Sequence, residues 1–263
     1  MVTIVLPVSR ATHLHRVFYS LEMMVCSRAD TNLLVYVDGD MKLYEIARNF
    51  TANSTFNERL CIFRRGVGRI DVANVKTRRR RISDIHNELK EHIKDCEFIF
   101  LVEDDTLIPK FALKKMLGRY AAYPYAGFVS GMQLGRWGFL HIGVWRVDDI
   151  YDTKRIESIP TPDILKDHFI EVDAAGIYCM LTRRENYMEH EFKPYGEILG
   201  PDFDFGISLR QGGHKNYVIP SIKCGHMTPT ETISFADSEI IQVKFEKSQT
   251  SKSGWVLQKS LIS

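Results

Sequence analysis

The first 130 residues alternate short apolar runs with apolar stripes at helical spacing, and this rhythm restricts the fold more than any other feature. Thr3–Leu6 is an apolar run closed by Pro7. Leu14, Val17, Phe18, Leu21 and Val25 then recur at the 3.6-residue period of a helix. Leu33–Val37 is a second run, closed by the turn signal Asp38-Gly39-Asp40. The stripe Leu43, Ile46, Ala47 and Phe50 follows, and Leu60–Phe63 is a third run. Ile82, Ile85, Leu89 and Ile93 mark a helix that begins near Val75. Phe98–Val102 is a fourth run. Pro109 suits the first turn of the next helix, which carries Leu113, Met116, Leu117 and Tyr120 on one face. Ala126–Ser130 is strand-like again. Strand and helix in this order imply an α/β fold with a mostly parallel sheet and helices on both faces. Ligands of such sheets bind at the carboxyl ends of the strands. Those ends carry Val8-Ser9-Arg10, Asp38-Gly39-Asp40 and Glu103-Asp104-Asp105.

The second half has a different pattern. Phe139–Val147 and Phe169–Leu181 read as longer strands, separated by a polar stretch at 148–167. A short helix near Arg183–His190, a Gly-rich turn at 196–200 and a helix over about Asp202–Arg210 follow. Gly212-Gly213 ends that helix, Tyr217–Ile219 is a short strand, and periodicity fades after Met227.

Hydrophobic residues make up 44% of the 263 and charged residues 26%, which excludes a disordered chain, a collagen and a disulfide mini-scaffold. No apolar run approaches the ~20 residues of a membrane span. Val2–Val8 has no basic residues before it and reads as a strand rather than a secretion signal. The five cysteines are scattered without a CxxC pair, as expected in a reducing cytoplasm. Net charge is +2 but uneven: residues 59–81 hold nine Lys/Arg against the single acid Asp71. Such a segment is either a solvated face or a contact for a phosphate-bearing partner.

Three acids in a row, Glu103-Asp104-Asp105, end the fourth apolar run. In an extended segment Glu103 and Asp105 point the same way. Hard carboxylate oxygens suit Mg²⁺ or Mn²⁺, completed by water and phosphate. The alternative is a solvated turn and an acidic cap for the helix that follows. Asp202 and Asp204 open a second helix, where an N-cap role competes with catalysis. His226 follows the last strand.

In this order the residues resemble a nucleotide-sugar-dependent glycosyltransferase of the GT-A fold, closest to the large family-2 group. Four features carry the resemblance. The opening strand ends in Pro7-Val8-Ser9-Arg10, and the second ends in Asp38. A DXD-like triplet, Glu103-Asp104-Asp105, precedes Pro109. The run Gly196–Gly213 is similar to that family's acidic helix, followed by a strand and a His. Three positions depart from the pattern: Glu103 stands in place of Asp, Pro201 in place of an acid, and an Arg-rich segment in place of a Gly-rich loop.

The resemblance implies roles. Val8 and Arg10 would border the donor nucleotide, and Asp38 its base or ribose. Arg78 and Arg81 would meet the diphosphate, and Asp104 would also contact the donor. Adjacent helical residues are ~100° apart, so Arg78–Arg81 cannot all face one ligand. Asp105 would hold Mn²⁺ or Mg²⁺, with Glu103 directly or through water and His226 as a further ligand. Asp202 would be the general base, with Asp204 as its rival ~200° away. Trp137, Phe139, His141 and Trp145 would either stack on a sugar or base, or belong to a core strand. A GT-A domain is expected over 1–228, with a nucleotide lobe at 1–130, an acceptor and catalytic lobe at 131–228, and an extension at 229–263.

The implied co-substrate is a nucleoside diphosphate sugar, a UDP-sugar first, transferred with inversion to a hydroxyl. The Arg-rich helix adds a resemblance to bacteriophage glycosyltransferases, which points to a 5-hydroxymethylpyrimidine in DNA as acceptor. A cell-surface glycan or a protein hydroxyl is the alternative acceptor. A nucleotidyltransferase would need a Gly-rich or basic loop after the first strand, and Val8-Ser9-Arg10-Ala11 has no Gly. A non-catalytic nucleic-acid binder would leave the acids unexplained.

Overall fold

The structure is a computed structural model that describes residues 1–10, 12–65, 75–133, 141–153, 155–160, 169–195 and 199–227, with three further strands between 231 and 261. Strands β1 (Val2–Val8), β2 (Thr31–Gly39), β3 (Arg59–Arg65) and β4 (Phe98–Val102) pair in parallel in the order β3-β2-β1-β4. They alternate with helices α1 (Leu14–Glu22), α2 (Met41–Asn53) and α3 (Val75–Leu89). The two-residue β5 (Thr106–Leu107), α4 (Ala112–Ala122) and β6 (Ala126–Gln133) complete the first half.

The second half adds β7 (His141–Val147), β8 (Ile156–Pro160), β9 (Ile170–Val172), β10 (Ala174–Ala175) and β11 (Cys179–Arg183). Helices α5 (Arg184–Glu189) and α6 (Pro201–Gln211) then lead into β12 (Lys215–Met227). The sheet continues past β4 as β11-β6-β12, with β11 antiparallel to both its neighbours and β12 parallel to β6. A small second sheet runs β10-β7-β8. The expected α/β architecture, a mostly parallel sheet with helices on both faces and a mixed second lobe, is the one observed.

Alternate residues of the central strands serve opposite faces. Ile4, Leu6, Leu33, Val35, Phe98 and Phe100 pack with Leu14, Val17, Phe18 and Leu21 of α1, Leu43 and Ala47 of α2, and Leu113 and Met116 of α4. Val5, Leu34, Ile99 and Leu101 pack on the other side with Ile85 and Leu89 of α3 and Phe205 and Leu209 of α6. A strand buried on both faces needs an unbroken apolar run, which is why these strands stand out in the sequence.

Four expectations are corrected. Pro109 does not start α4: the Ala112 amide donates to its carbonyl (2.9 Å), and the helix begins at Ala112. The single strand expected over 169–181 is broken into β9, β10 and β11. At Gly176 a Cβ would lie 2.6 Å from the Tyr178 ring, so the chain turns over an aromatic face there. The last strand is longer than Tyr217–Ile219, and shifts register between Val218 and Lys223. Beyond Met227 the chain forms β13 (Glu231–Ala236), β14 (Glu239–Lys247) and β15 (Trp255–Leu261), an antiparallel continuation of the sheet from β12. The expected start of the strand at Phe139, and residues 196–198 of the Gly-rich turn, lie outside the described residues. Among the described residues no helix is long and apolar enough to cross a membrane.

Helix α6 sits directly on β10. A Cβ at Gly206 would lie 2.7 Å from the Cα and Cβ of Ala174 and from the carbonyl oxygen of Asp173. Backbone cannot give way as a side-chain tip can. Gly206→Ala is therefore expected to lift α6 and to destabilise the protein by about 1–3 kcal/mol, the usual range for overpacking. A lowered urea midpoint with an unchanged denaturant slope would show it. A wild-type midpoint would mean the helix is not seated this way.

Candidate active site

The carboxyl ends of β1, β4 and β12 come together around the acidic triplet, and β2 ends beside β1. Asp104 is buried and both its oxygens are engaged. Oδ2 accepts from the Ser9 amide (2.7 Å), the Ser9 hydroxyl (3.2 Å) and the Arg10 amide (2.9 Å). Oδ1 accepts from Nε (3.0 Å) and Nη2 of Arg10. Asp104, expected on the donor, holds the loop that follows β1. The Val8 side chain is buried in the apolar core, whereas Ser9 and Arg10 are exposed.

Asp105 faces a different set of groups. Its Oδ2 lies 2.9 Å from Arg10 Nη1 and 3.4 Å from His226 Nε2. Backbone pairing makes this meeting possible. Short β5 pairs antiparallel with β12, setting His226 opposite Thr106 and Gly225 opposite Leu107. The Met227 amide donates to the Asp105 carbonyl at 2.8 Å. Glu103 is half-buried, and its amide donates to the carbonyl of Tyr178 (3.3 Å). Among the described residues no three His, Cys, Asp or Glu side chains converge as a ready-made metal cage. Asp105 and His226 do supply one hard oxygen and one imidazole nitrogen at a single point. That set fits an ion that takes its other ligands from a diphosphate and water.

On α3 the four arginines divide as helix geometry requires. Arg78 and Arg80 are exposed. Arg81 forms a fork on Asp38, with Nε donating to Oδ2 (2.6 Å) and Nη2 to Oδ1. The two residues expected on the nucleotide and on the diphosphate are therefore paired with each other. Arg79 is half-buried on the helix that packs against α6, and its charge acts on the Asp202 carboxylate.

Asp202 and Asp204 part company, as their angular separation on a helix demands. Asp204 is buried against His190, with Oδ2 3.1 Å from Nε2. That imidazole packs among Phe192 and Phe205. Asp202 shares the face of Gly206, one turn earlier, and its Oδ2 would lie 3.8 Å from a Cβ at Gly176. Gly176 is two residues from Tyr178, whose carbonyl binds Glu103, so Asp202 stands at the same end of the sheet as the triplet. Burial raises the Asp202 carboxyl above its ordinary value, opposed by backbone donation, chiefly from the Phe203 amide, and by the charge of Arg79. Of the aromatic patch, Trp145 packs edge-on against Phe203 (5.8 Å, 81°), which is the core reading. Trp137, Phe139 and the His141 side chain lie outside the described residues.

Sequence reasoning did not find the bonds Arg10 makes to the triplet, the Arg79–Asp202 relation or the His190–Asp204 pair. All join elements distant in sequence, and no spacing rule encodes them.

The sequence matches no protein-family model and no curated relative. Among solved structures the backbone is similar to "Mannosyltransferase PcManGT from Pyrobaculum calidifontis in complex with GDP-Man and Mn2+", with a TM-score of 0.57 and 12% identity over 85% of this chain and 55% of that one. It is also similar to S. aureus TarS, with a TM-score of 0.53 and 10% identity over 83% of this chain and 35% of that one. This chain thus spans about half and about a third of the two proteins. At these identities the likeness is one of fold, and the fold is the GT-A type that the sequence pattern implied.

Proposed function

We propose that the protein is a glycosyltransferase that moves a sugar from a nucleoside diphosphate to an acceptor hydroxyl, with inversion. The observation that carries this reading is the meeting of Asp105 with His226 and Arg10, in this fold, at the end of the sheet where Asp202 also stands. Residues 1–228 would form the transferase domain and 229–263 an extension of its sheet.

Arginines at the strand ends would bind the donor phosphates, Arg10 from the β1 loop and Arg81 from α3. Asp38, now on Arg81, would turn to the ribose or base. A divalent cation, Mn²⁺ or Mg²⁺, held by Asp105 and His226, with Glu103 through water, would neutralise charge on the departing diphosphate. Asp202 would receive the acceptor proton as the acceptor oxygen bonds to the anomeric carbon. The bond from that carbon to the diphosphate oxygen breaks, and the diphosphate leaves with the electron pair. One base and one displacement invert the anomeric centre. Asp204, locked on His190, would serve structure. The neighbour that binds GDP-Man widens the donors to be tried beyond UDP-sugars.

A panel of UDP- and GDP-sugars, with and without acceptors, tests the reading. One donor should be slowly hydrolysed, EDTA should stop this and Mn²⁺ restore it. Full activity in excess EDTA after dialysis removes the cation. A β-linked product from an α-linked donor is expected in the anomeric proton coupling; an α-linked product overturns the single displacement.

Asp202→Asn should lower transfer by about 10²–10⁴-fold, the usual contribution of a general base, with donor binding kept. Asp204→Asn should keep most of the activity of whatever fraction folds. The pH dependence has a definite sign. A carboxyl raised in the folded state favours the fold while protonated, and that contribution is lost as pH rises through the folded value. Asp202→Asn should therefore unfold no earlier than the wild type at neutral pH, by thermal melting. In the wild type, kcat should fall on the acid side at a pH above the ordinary aspartate range. A lower Tm in Asp202→Asn together with normal transfer would remove Asp202 from the mechanism.

DNA carrying 5-hydroxymethylpyrimidines is the acceptor favoured by the outward-facing Arg78 and Arg80. A double change to Gln at these two positions should weaken duplex binding and flatten its dependence on salt by about two phosphate contacts. Donor hydrolysis should be unchanged. No binding to plain or modified duplex at low salt leaves a glycan or protein hydroxyl as the acceptor.

A further inference from the structure

Arg10 makes two kinds of contact with the triplet. It grips Asp104 through Nε and Nη2, and places Nη1 2.9 Å from Oδ2 of Asp105. That same oxygen faces His226 Nε2 at 3.4 Å. The guanidinium thus already engages the carboxylate oxygen that a divalent cation held by Asp105 and His226 would use, and two cations cannot share one carboxylate oxygen without strong repulsion. The Arg10 side chain is 44% exposed, so its guanidinium borders solvent and leaving the carboxylates would not require the core to open. Its backbone is not, because Asp104 also holds the amides of Ser9 and Arg10.

We propose that Arg10 gates the cation site: its guanidinium covers the Asp105 oxygen until a diphosphate draws it away. The gate rests on the metal-assisted transferase reading above. It makes cation binding follow donor binding, and keeps the empty site from collecting free divalent ions. Arg10 is suited to both positions, since its planar fork matches carboxylate and phosphate alike.

The test is Mn²⁺ binding without nucleotide, by equilibrium dialysis with electron paramagnetic resonance of the free ion. Arg10→Gln should bind Mn²⁺ about tenfold or more tightly than the wild type, the equivalent of one charge-assisted hydrogen bond. Adding Asp105→Asn to that variant should abolish the gain. Arg10→Lys keeps a charge for Asp104 but cannot span both carboxylates. It should show a smaller gain, and it serves if Arg10→Gln does not fold. Unchanged or weaker Mn²⁺ affinity in the folded variants overturns the gate. If the wild type still takes up Mn²⁺ together with a UDP- or GDP-sugar, the transferase reading survives that result. No Mn²⁺ uptake by any form with any donor overturns both the cation assignment and the gate.

Discussion

A buried carboxylate has to be satisfied, and Asp104 is satisfied by the loop after β1. It accepts two backbone amides, a hydroxyl and a guanidinium fork from Ser9 and Arg10. These bonds tie the ends of two parallel neighbours, β1 and β4, at the point where the sheet opens to ligands. They fix the path of residues 8–10 and set the reach of Arg10. They also separate the triplet by function, since Asp104 is committed to the scaffold while Asp105 turns to His226. Removing one partner of such a pair leaves a buried charge alone, which is far more damaging than the modest net value of the pair itself.

The other half of the site depends on contact without side chains. Gly206 lets α6 approach β10 closely enough for the helix to touch Ala174 and the Asp173 carbonyl. Asp202 lies one turn before Gly206 on the same face, so its position follows from that contact. Asp204, on the opposite face, is drawn into the core by His190 and pins the start of the helix to the end of α5. The second-lobe helix is thus held from both sides, and Asp202, in the turn before these anchors, lies beside Gly176.

The parallel strands and their helices were legible because both faces of the sheet are buried. Ile4 and Leu6 need one set of helices and Val5 another, which forces the continuous apolar runs that mark β1 and β2. The strands past Met227 were not legible. They form a simple antiparallel ribbon at the sheet edge, where apolar runs are not enforced on both faces. The start of α4 was misplaced because Pro109 fits a turn as well as a first helical position. In the site, the acids and the later histidine were visible as residue types at strand ends. Their partners were not, because Arg10 with Asp105, Arg79 with Asp202 and Asp105 with His226 are matched only by the fold.

These matches give the site a common electrostatic plan. Three of the four carboxylates here are paired with an arginine, Asp38 with Arg81 and both Asp104 and Asp105 with Arg10, and the charge of Arg79 acts on the fourth, Asp202. Within the basic segment Arg64 and Arg81 are paired with acids, while Arg78 and Arg80 are exposed on α3. A ligand bearing two phosphates would meet guanidinium groups that already hold carboxylates, and binding would exchange one oxyanion for another. The cost of desolvating such a ligand is offset by donors already ordered and partly dehydrated. In the proposed transferase, that exchange would free Asp105 for a cation and Asp38 for a ribose or base, so one exchange of partners would convert a self-neutralised cleft into a working one.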